Sequence, residues 1–313
     1  MFKTENYIQK NVDYITKSYL RNVMQLAIFL TGNKKIYAIN ISKIQTFLIK
    51  DNVDITKTPS ADGLVNGVIN LRGEFITIVN LDRWIGDSDV DEKEYKIIIV
   101  CNYNERKIGI LVKDIIKIEE KNSSDLKLPS GNDPKISYVT EIELDNGENR
   151  TCIILDAEKL LSDINIAKDK GATIYDIGSM AKMPEINSDK YLLVAEDSTT
   201  VREKLNEFFS SIGIKYEMFE NGQLLINKLE TMLPSEIGLI ATDIEMPIKN
   251  GYQVIKYIKE NNMYKNLPIL ALTSMTNIGV NDKVQRLGAI ALINKADITT
   301  LYKYIKEYLE HEN

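Results

Sequence analysis

The sequence predicts two domains of different class: a mainly β domain in its first half and, in its last third, a doubly wound α/β domain on a parallel sheet. Three observations carry this. Short apolar runs broken by Gly, Asn and Asp fill Val23 to Leu155, which is how strands joined by tight turns read. From Lys190 onward, apolar runs alternate with helical patterns, the β-then-α order that winds a parallel sheet. The 313 residues suffice for about two domains, each with its own core. The expected boundaries are an extension over 1–18, a β domain over 19–162, a linker over 163–189 and the α/β domain over 190–313.

In the first half, Gln25 to Leu30 and Lys35 to Ile39 flank Gly32-Asn33, while Tyr138 to Leu144 and Arg150 to Leu155 flank Asp145-Asn146-Gly147. Such turns need the positive φ that suits strand twist, and several short strands so joined predict antiparallel barrels. Val65 to Leu81 is the densest pattern, reading as strand, Arg72-Gly73 turn, strand. Gly73 can take positive φ, with Arg72 projecting outward at the rim as a solvated side chain. Val68 and Ile69 are expected in the core, Asn70 and Glu74 in shaping the turn. Ala157 to Leu161 reads as a short helix, after which periodicity fades into the linker.

In the last third, Leu192–Ala195, Ile237–Ala241, Pro268–Leu272 and Ala289–Ile293 read as buried parallel strands. Helical stripes lie between and after them: Val201, Leu205, Phe208 and Phe209; Val254, Ile255 and Ile258; Leu301, Ile305 and Leu309. Ser198 or Thr199 suits the cap of the first helix and Asp297 that of the last.

Composition excludes several kinds of chemistry. The net charge of −6 leaves no basic stripe for nucleic acid. No apolar run approaches a membrane span, and Met1 to Asn6 lacks the apolar core of a secretory signal, so the cytoplasm is expected. Cys101 and Cys152, the only cysteines, sit in strand-like runs and read as buried reduced thiols. His311, the only histidine, rules out a His-based metal site or a Ser-His-Asp triad.

Ligands of parallel sheets bind at the carboxyl ends of the strands, and here each run ends on a polar residue. Glu196 and Asp197 follow the first, Asp243 ends the second, Thr273 the third, and Lys295 the fourth. One cleft would thus hold an acid pair, a lone carboxylate, a hydroxyl and an ammonium. That set suits phosphoryl transfer to Asp243. The acid pair would hold Mg²⁺, which favours oxygen ligands, while Lys295 and Thr273 would meet two phosphoryl oxygens. Any one of these residues alone is ordinarily a helix cap or a surface group; the combination carries the reading.

Over about Lys190 to Glu310 the sequence resembles the response-regulator receiver family, a flavodoxin-like fold. The matching elements are Glu196-Asp197, Asp243 with Met246-Pro247 and Gly251, Thr273 and Lys295. The resemblance implies Asp243 as phosphoryl acceptor and Mg²⁺ held by Glu196, Asp197, Asp243 and the backbone carbonyl of Glu245. It also implies that Glu245 and Met275 tune phosphoryl lifetime. The sequence departs from the family in three places. Ala296 replaces the usual Pro after the Lys, so the bend there must be made differently; Leu292 stands where an aromatic switch residue is common; Asn250 replaces the common Asp before Gly251.

The run Asn70-Leu71-Arg72-Gly73 before an apolar strand resembles the hallmark of the CheW-like domain, with further similarity in Lys35 to Ile41, Thr58-Pro59 and Ile108 to Ile115. That family has paired five-stranded barrels, and the resemblance covers about Tyr19 to Ser162. It implies that Arg72 is an interface determinant. A CheW-like module followed by one receiver is similar to CheV-type coupling proteins, with no DNA-binding or catalytic output module. The expected function is a non-enzymatic, array-associated chemotaxis adaptor coupling chemoreceptors (methyl-accepting chemotaxis proteins) to the histidine kinase CheA, regulated at Asp243. Alternatives are a phosphate sink for the kinase, an Asp-nucleophile phosphohydrolase of the haloacid dehalogenase type, and a receiver that serves only as an interaction surface.

Overall fold

The computed structural model describes residues 23–58, 63–87, 90–103, 106–129, 133, 135–168, 183–274 and 278–310. The extension over 1–18, the centre of the linker, Met275 and His311 lie outside them. The described chain forms two compact units, the first over residues 24–168.

In the first unit the strands are β1 (Val23–Leu30), β2 (Ile36–Asn40), β3 (Ile44–Ile49), β4 (Val65–Leu71), β5 (Glu74–Asn80), β6 (Ile97–Tyr103), β7 (Arg106–Val112), β8 (Asp114–Asn122), β9 (Ile136–Glu143) and β10 (Asn149–Leu155). Helix α1 (Leu81–Trp84) follows β5 and α2 (Ala157–Lys168) follows β10. The strands make two five-stranded curled sheets, ordered β8-β1-β2-β10-β9 and β3-β6-β7-β5-β4. These are the expected paired β barrels. The hairpins are antiparallel, whereas β10 runs parallel to β2 and β5 parallel to β7.

Each sheet closes over its own core. Leu26, Ile28, Tyr138, Ile142 and Cys152 pack in one, and Ile69, Ile76, Ile78, Ile98 and Leu111 in the other. Asp82 on α1 is fully buried and accepts the N–H groups of Gly32 (2.8 Å) and Asn33 (3.0 Å). One carboxylate therefore ties the β1–β2 turn of the first sheet to the helix leaving the second.

The Arg72-Gly73 turn is tighter than its sequence suggests, because Arg72 (φ 55°) as well as Gly73 (φ 90°) is left-handed. Two positive φ values in a two-residue loop match the twist of flanking strands. Asn70 Oδ1 accepts the Gly73 N–H at 2.9 Å, and Glu74 pairs with Lys107. Ile69 is in the core, but its neighbour Val68 is only half-buried, since adjacent strand residues face opposite sides. Helix α2 continues past Leu161 to Lys168 because Leu160, Leu161 and Ile164 keep one buried stripe. Trp84 Nε1 donates to Asp163 at 2.9 Å on that helix.

The second unit contains β11 (Tyr191–Ala195), α3 (Thr199–Ser211), β12 (Lys215–Phe219), α4 (Gly222–Leu229), β13 (Ile237–Asp243), α5 (Gly251–Glu260), β14 (Ile269–Thr273), α6 (Ile278–Arg286), β15 (Ala291–Asn294) and α7 (Ile298–Leu309). All strands are parallel, in the order β12-β11-β13-β14-β15. Helices α3 and α7 bury their stripes on one face of the sheet, and α4 and α5 on the other. Truncating a fully buried phenylalanine such as Phe208 would cost about 3–5 kcal/mol. Strand β12 was not legible as an apolar run. It lies at the sheet edge, where Lys215 and Glu217 meet solvent. Ser198 and Asp297 cap α3 and α7, accepting from Val201 and Thr300. Among the described residues no helix is long and apolar enough to cross a membrane.

Candidate functional site

The doubly wound order brings the ends of β11, β13, β14 and β15 to one rim. Glu196 follows β11 and is fully buried; Asp243 closes β13; Lys295 follows β15. The Lys295 ammonium bridges the two acids, at 2.9 Å from Glu196 Oε1, 2.8 Å from Glu196 Oε2 and 2.9 Å from Asp243 Oδ2. Asp197 is the third carboxylate, and Glu196, Asp197 and Asp243 each offer an oxygen within 4.8 Å of the others. Mg²⁺ is a hard ion that takes carboxylate oxygens, and three of them gathered at one rim are donors of the kind it favours, so this donor set fits the ion in its chemistry.

Thr273 ends β14 one residue beyond the Asp243–Leu272 pair and is buried. Its backbone oxygen accepts the Lys295 N–H at 2.9 Å. Glu245 directs its backbone N–H to Asp243 Oδ1 at 3.3 Å, so its amide contacts the candidate acceptor. Structure thus gathers Glu196, Asp197, Asp243, Thr273 and Lys295 at one rim. Arg72, in the other unit, is exposed at its turn.

The loop after Asp243 depends on two close approaches. A Cβ on Gly251 would stand 2.3 Å from the Asp243 carbonyl oxygen, and one on Gly222 would stand 2.5 Å from that of Lys249. Only glycine lets α5 and α4 start this near the loop. Asn250 and Gln253 form a reciprocal cap at 3.1 Å each way, so the Asn that replaces the common Asp performs a capping role. The bend after Lys295, made elsewhere by proline, is made here by Asn294: its Oδ1 accepts the Ala296 N–H at 2.9 Å and its carbonyl the Asp297 N–H at 2.8 Å. Leu292 is half-buried beside the α4–α5 core.

Two features near the rim escaped sequence reasoning. Lys283 on α6 lies over the Tyr252 ring, 3.7 Å from its centroid, and burial pushes its amine down to about 8. Burial first and the Glu245 charge second raise the Tyr252 phenol. Arg202 on α3 sends Nη1 to the backbone oxygens of Glu196 (2.8 Å) and Asp197 (2.6 Å), and Nη2 to Thr199 Oγ1 (3.0 Å). Its only sequence signal is a helical position one turn beyond the acid pair.

Residues 25–165 match the CheW-like domain family, and residues 192–306 match the response regulator receiver domain family. The chain is 32% identical to the chemotaxis protein CheW of Thermotoga maritima over 41% of its own length and 82% of that protein. It is 28% identical to the chemotaxis protein CheV2 of Helicobacter pylori over 96% of its own length and 99% of that protein. The figures for CheV1 of the same organism are 28%, 96% and 97%. The chain belongs to the CheV-type family of CheW-like proteins. A CheV-type chain is a chemotaxis coupling adaptor regulated by phosphorylation of its receiver domain, and neither the phosphate-sink nor the phosphohydrolase alternative is favoured. In this CheV-type chain the acidic rim therefore falls within the receiver match, and the Arg72 turn within the CheW-like match.

Proposed function

We infer that Asp243 is the residue through which this coupling adaptor is regulated, by accepting a phosphoryl group from a histidine kinase of the CheA kind. The observation that carries the reading is the pinning of Lys295 between Glu196 and Asp243, with Asp197 within 4.8 Å. An Asp243 oxygen attacks the phosphorus of a phosphohistidine, the P–N bond breaks, and the imidazole leaves. The chain's own residues act by position and charge. Lys295 neutralises one phosphoryl oxygen, the Thr273 hydroxyl donates to another, and the Glu245 N–H supports the acceptor carboxylate. Bound Mg²⁺, held by Glu196, Asp197, Asp243 and the Glu245 carbonyl, would screen the charge between acceptor and donor.

The coupling module over 19–162 binds chemoreceptors and the kinase, with Arg72 an interface determinant, and so associates with receptor arrays. The receiver over 190–313 adjusts that coupling without turnover of its own. A shift of about 1–3 kcal/mol in interface affinity is typical of such control. Incubation of the full chain with radiolabelled phospho-kinase tests the assignment. Asp243→Asn is expected to lose labelling while still binding receptor; retained labelling would overturn the acceptor role.

A further inference from the structure

The segment between β11 and α3 carries two metal-ligand candidates on consecutive residues, and its backbone leaves the sheet ladder just there. Carbonyl groups at such an exit need donors from elsewhere. A single guanidinium supplies them. Arg202 Nη1 reaches the oxygens of both Glu196 and Asp197, and Nη2 is held by Thr199 in the first turn of the same helix. Glu196 has further side-chain restraints, from Lys295 and from the Ser198 N–H at 3.2 Å. The direction of the Asp197 side chain follows from the peptide planes on either side of it, and Arg202 grips the carbonyls of both.

From this we propose that Arg202 is a positioning residue for the divalent-cation site: it locks the peptide planes of the acid pair so that Glu196 and Asp197 meet the ion together with Asp243. The inference rests on the reading of that rim as a cation site. Two effects of Arg202 oppose each other. Its positive charge near the ion weakens binding, whereas its fork geometry pre-organises two ligands and strengthens it. Groups that orient metal ligands typically contribute 10- to 100-fold in affinity, so geometry is expected to win. Lysine keeps the charge and loses the fork, since an ammonium is a point charge on a flexible stem.

The experiment uses the full chain, titrated with Mg²⁺ by calorimetry and with Mn²⁺ by electron paramagnetic resonance, beside thermal unfolding of the ion-free protein. Wild type, Arg202→Lys, Arg202→Met and Asp197→Asn are compared. Arg202→Lys and Arg202→Met are each expected to weaken cation binding roughly tenfold or more, while the ion-free receiver, though its melting temperature falls with the lost hydrogen bonds, remains folded at the titration temperature. If Arg202→Lys binds like wild type, or Arg202→Met binds more tightly, the positioning role is overturned and only a charge effect remains. A lowered melting temperature with unchanged affinity overturns it in favour of a purely structural role. Wild type that binds neither ion removes the cation-site reading itself, a result distinct from the other two.

Discussion

Replacing Lys295 with methionine tests the arithmetic of the rim. Glu196, Asp197, Asp243 and Lys295 carry −2 together; without the ammonium they carry −3. Lys295 is 2% exposed, with side-chain exposures of 0% for Glu196 and 3% for Asp243, so bulk solvent screens neither contact well. At an effective dielectric of about 20, each contact near 2.9 Å represents roughly 6 kcal/mol of attraction before desolvation is counted. Removing one partner of a buried ion pair typically costs about 3–5 kcal/mol net, and that is the expected loss. For a domain of this size it corresponds to a drop in melting temperature of roughly 10 °C or more. Asp243→Asn should behave oppositely. It leaves Lys295 paired one-to-one with Glu196 and should change stability by less than about 1 kcal/mol or raise it. Thermal unfolding of the ion-free chain at 222 nm follows the helix-rich receiver. Trp84, the sole tryptophan, reports the CheW-like unit and should melt unchanged in both variants. A Lys295→Met loss below about 1 kcal/mol, or equal losses for the two variants, would refute the counter-ion role.

Gly251→Ala forces a Cβ to 2.3 Å from the Asp243 carbonyl, and is expected to destabilise the receiver and slow its phosphorylation by a small-molecule donor; normal labelling would show that the loop yields freely. Arg72→Gly removes an L-residue from a left-handed position worth about 1 kcal/mol, so the Trp84 transition should rise slightly while receptor and kinase binding in a pull-down weakens. Lys283 supplies a pH dependence. With its folded pKa near 8 against an ordinary 10.5, the unfolded state binds more protons across that window, and receiver stability should rise with pH from about 8 toward 10. Lys283→Met should flatten the rise, as melting temperatures at stepped pH would record.

The sequence made the receiver legible because buried parallel strands are apolar on both faces, so Leu192–Ala195 and Ile237–Ala241 stand out and the polar residues ending them can be counted. What stayed hidden was atomic and long-range. Nothing in the spacing of Glu196 and Lys295 says that one ammonium spans Glu196 and Asp243. Arg202 looks like any surface arginine of an amphipathic helix, since two of its three targets are main-chain oxygens. Strand β12 escaped because an edge strand with Lys215 and Glu217 has one neighbour and no continuous apolar run. Val68, expected in the core beside Ile69, is half-buried because neighbours in a strand cannot share a face. With Ala296 in place of proline, the bend after Lys295 is made by Asn294 through a local side-chain bond that residue type alone does not announce.

The ion pair that closes the rim joins residues 99 positions apart, with Asp243 between them. A receiver synthesised only as far as β14 already carries Glu196 and Asp243 yet lacks the ammonium that pairs with both. The charge of the rim is therefore balanced only after β15 has been laid down. A copy clipped upstream of that strand would keep three acids at the rim and no counter-ion between them.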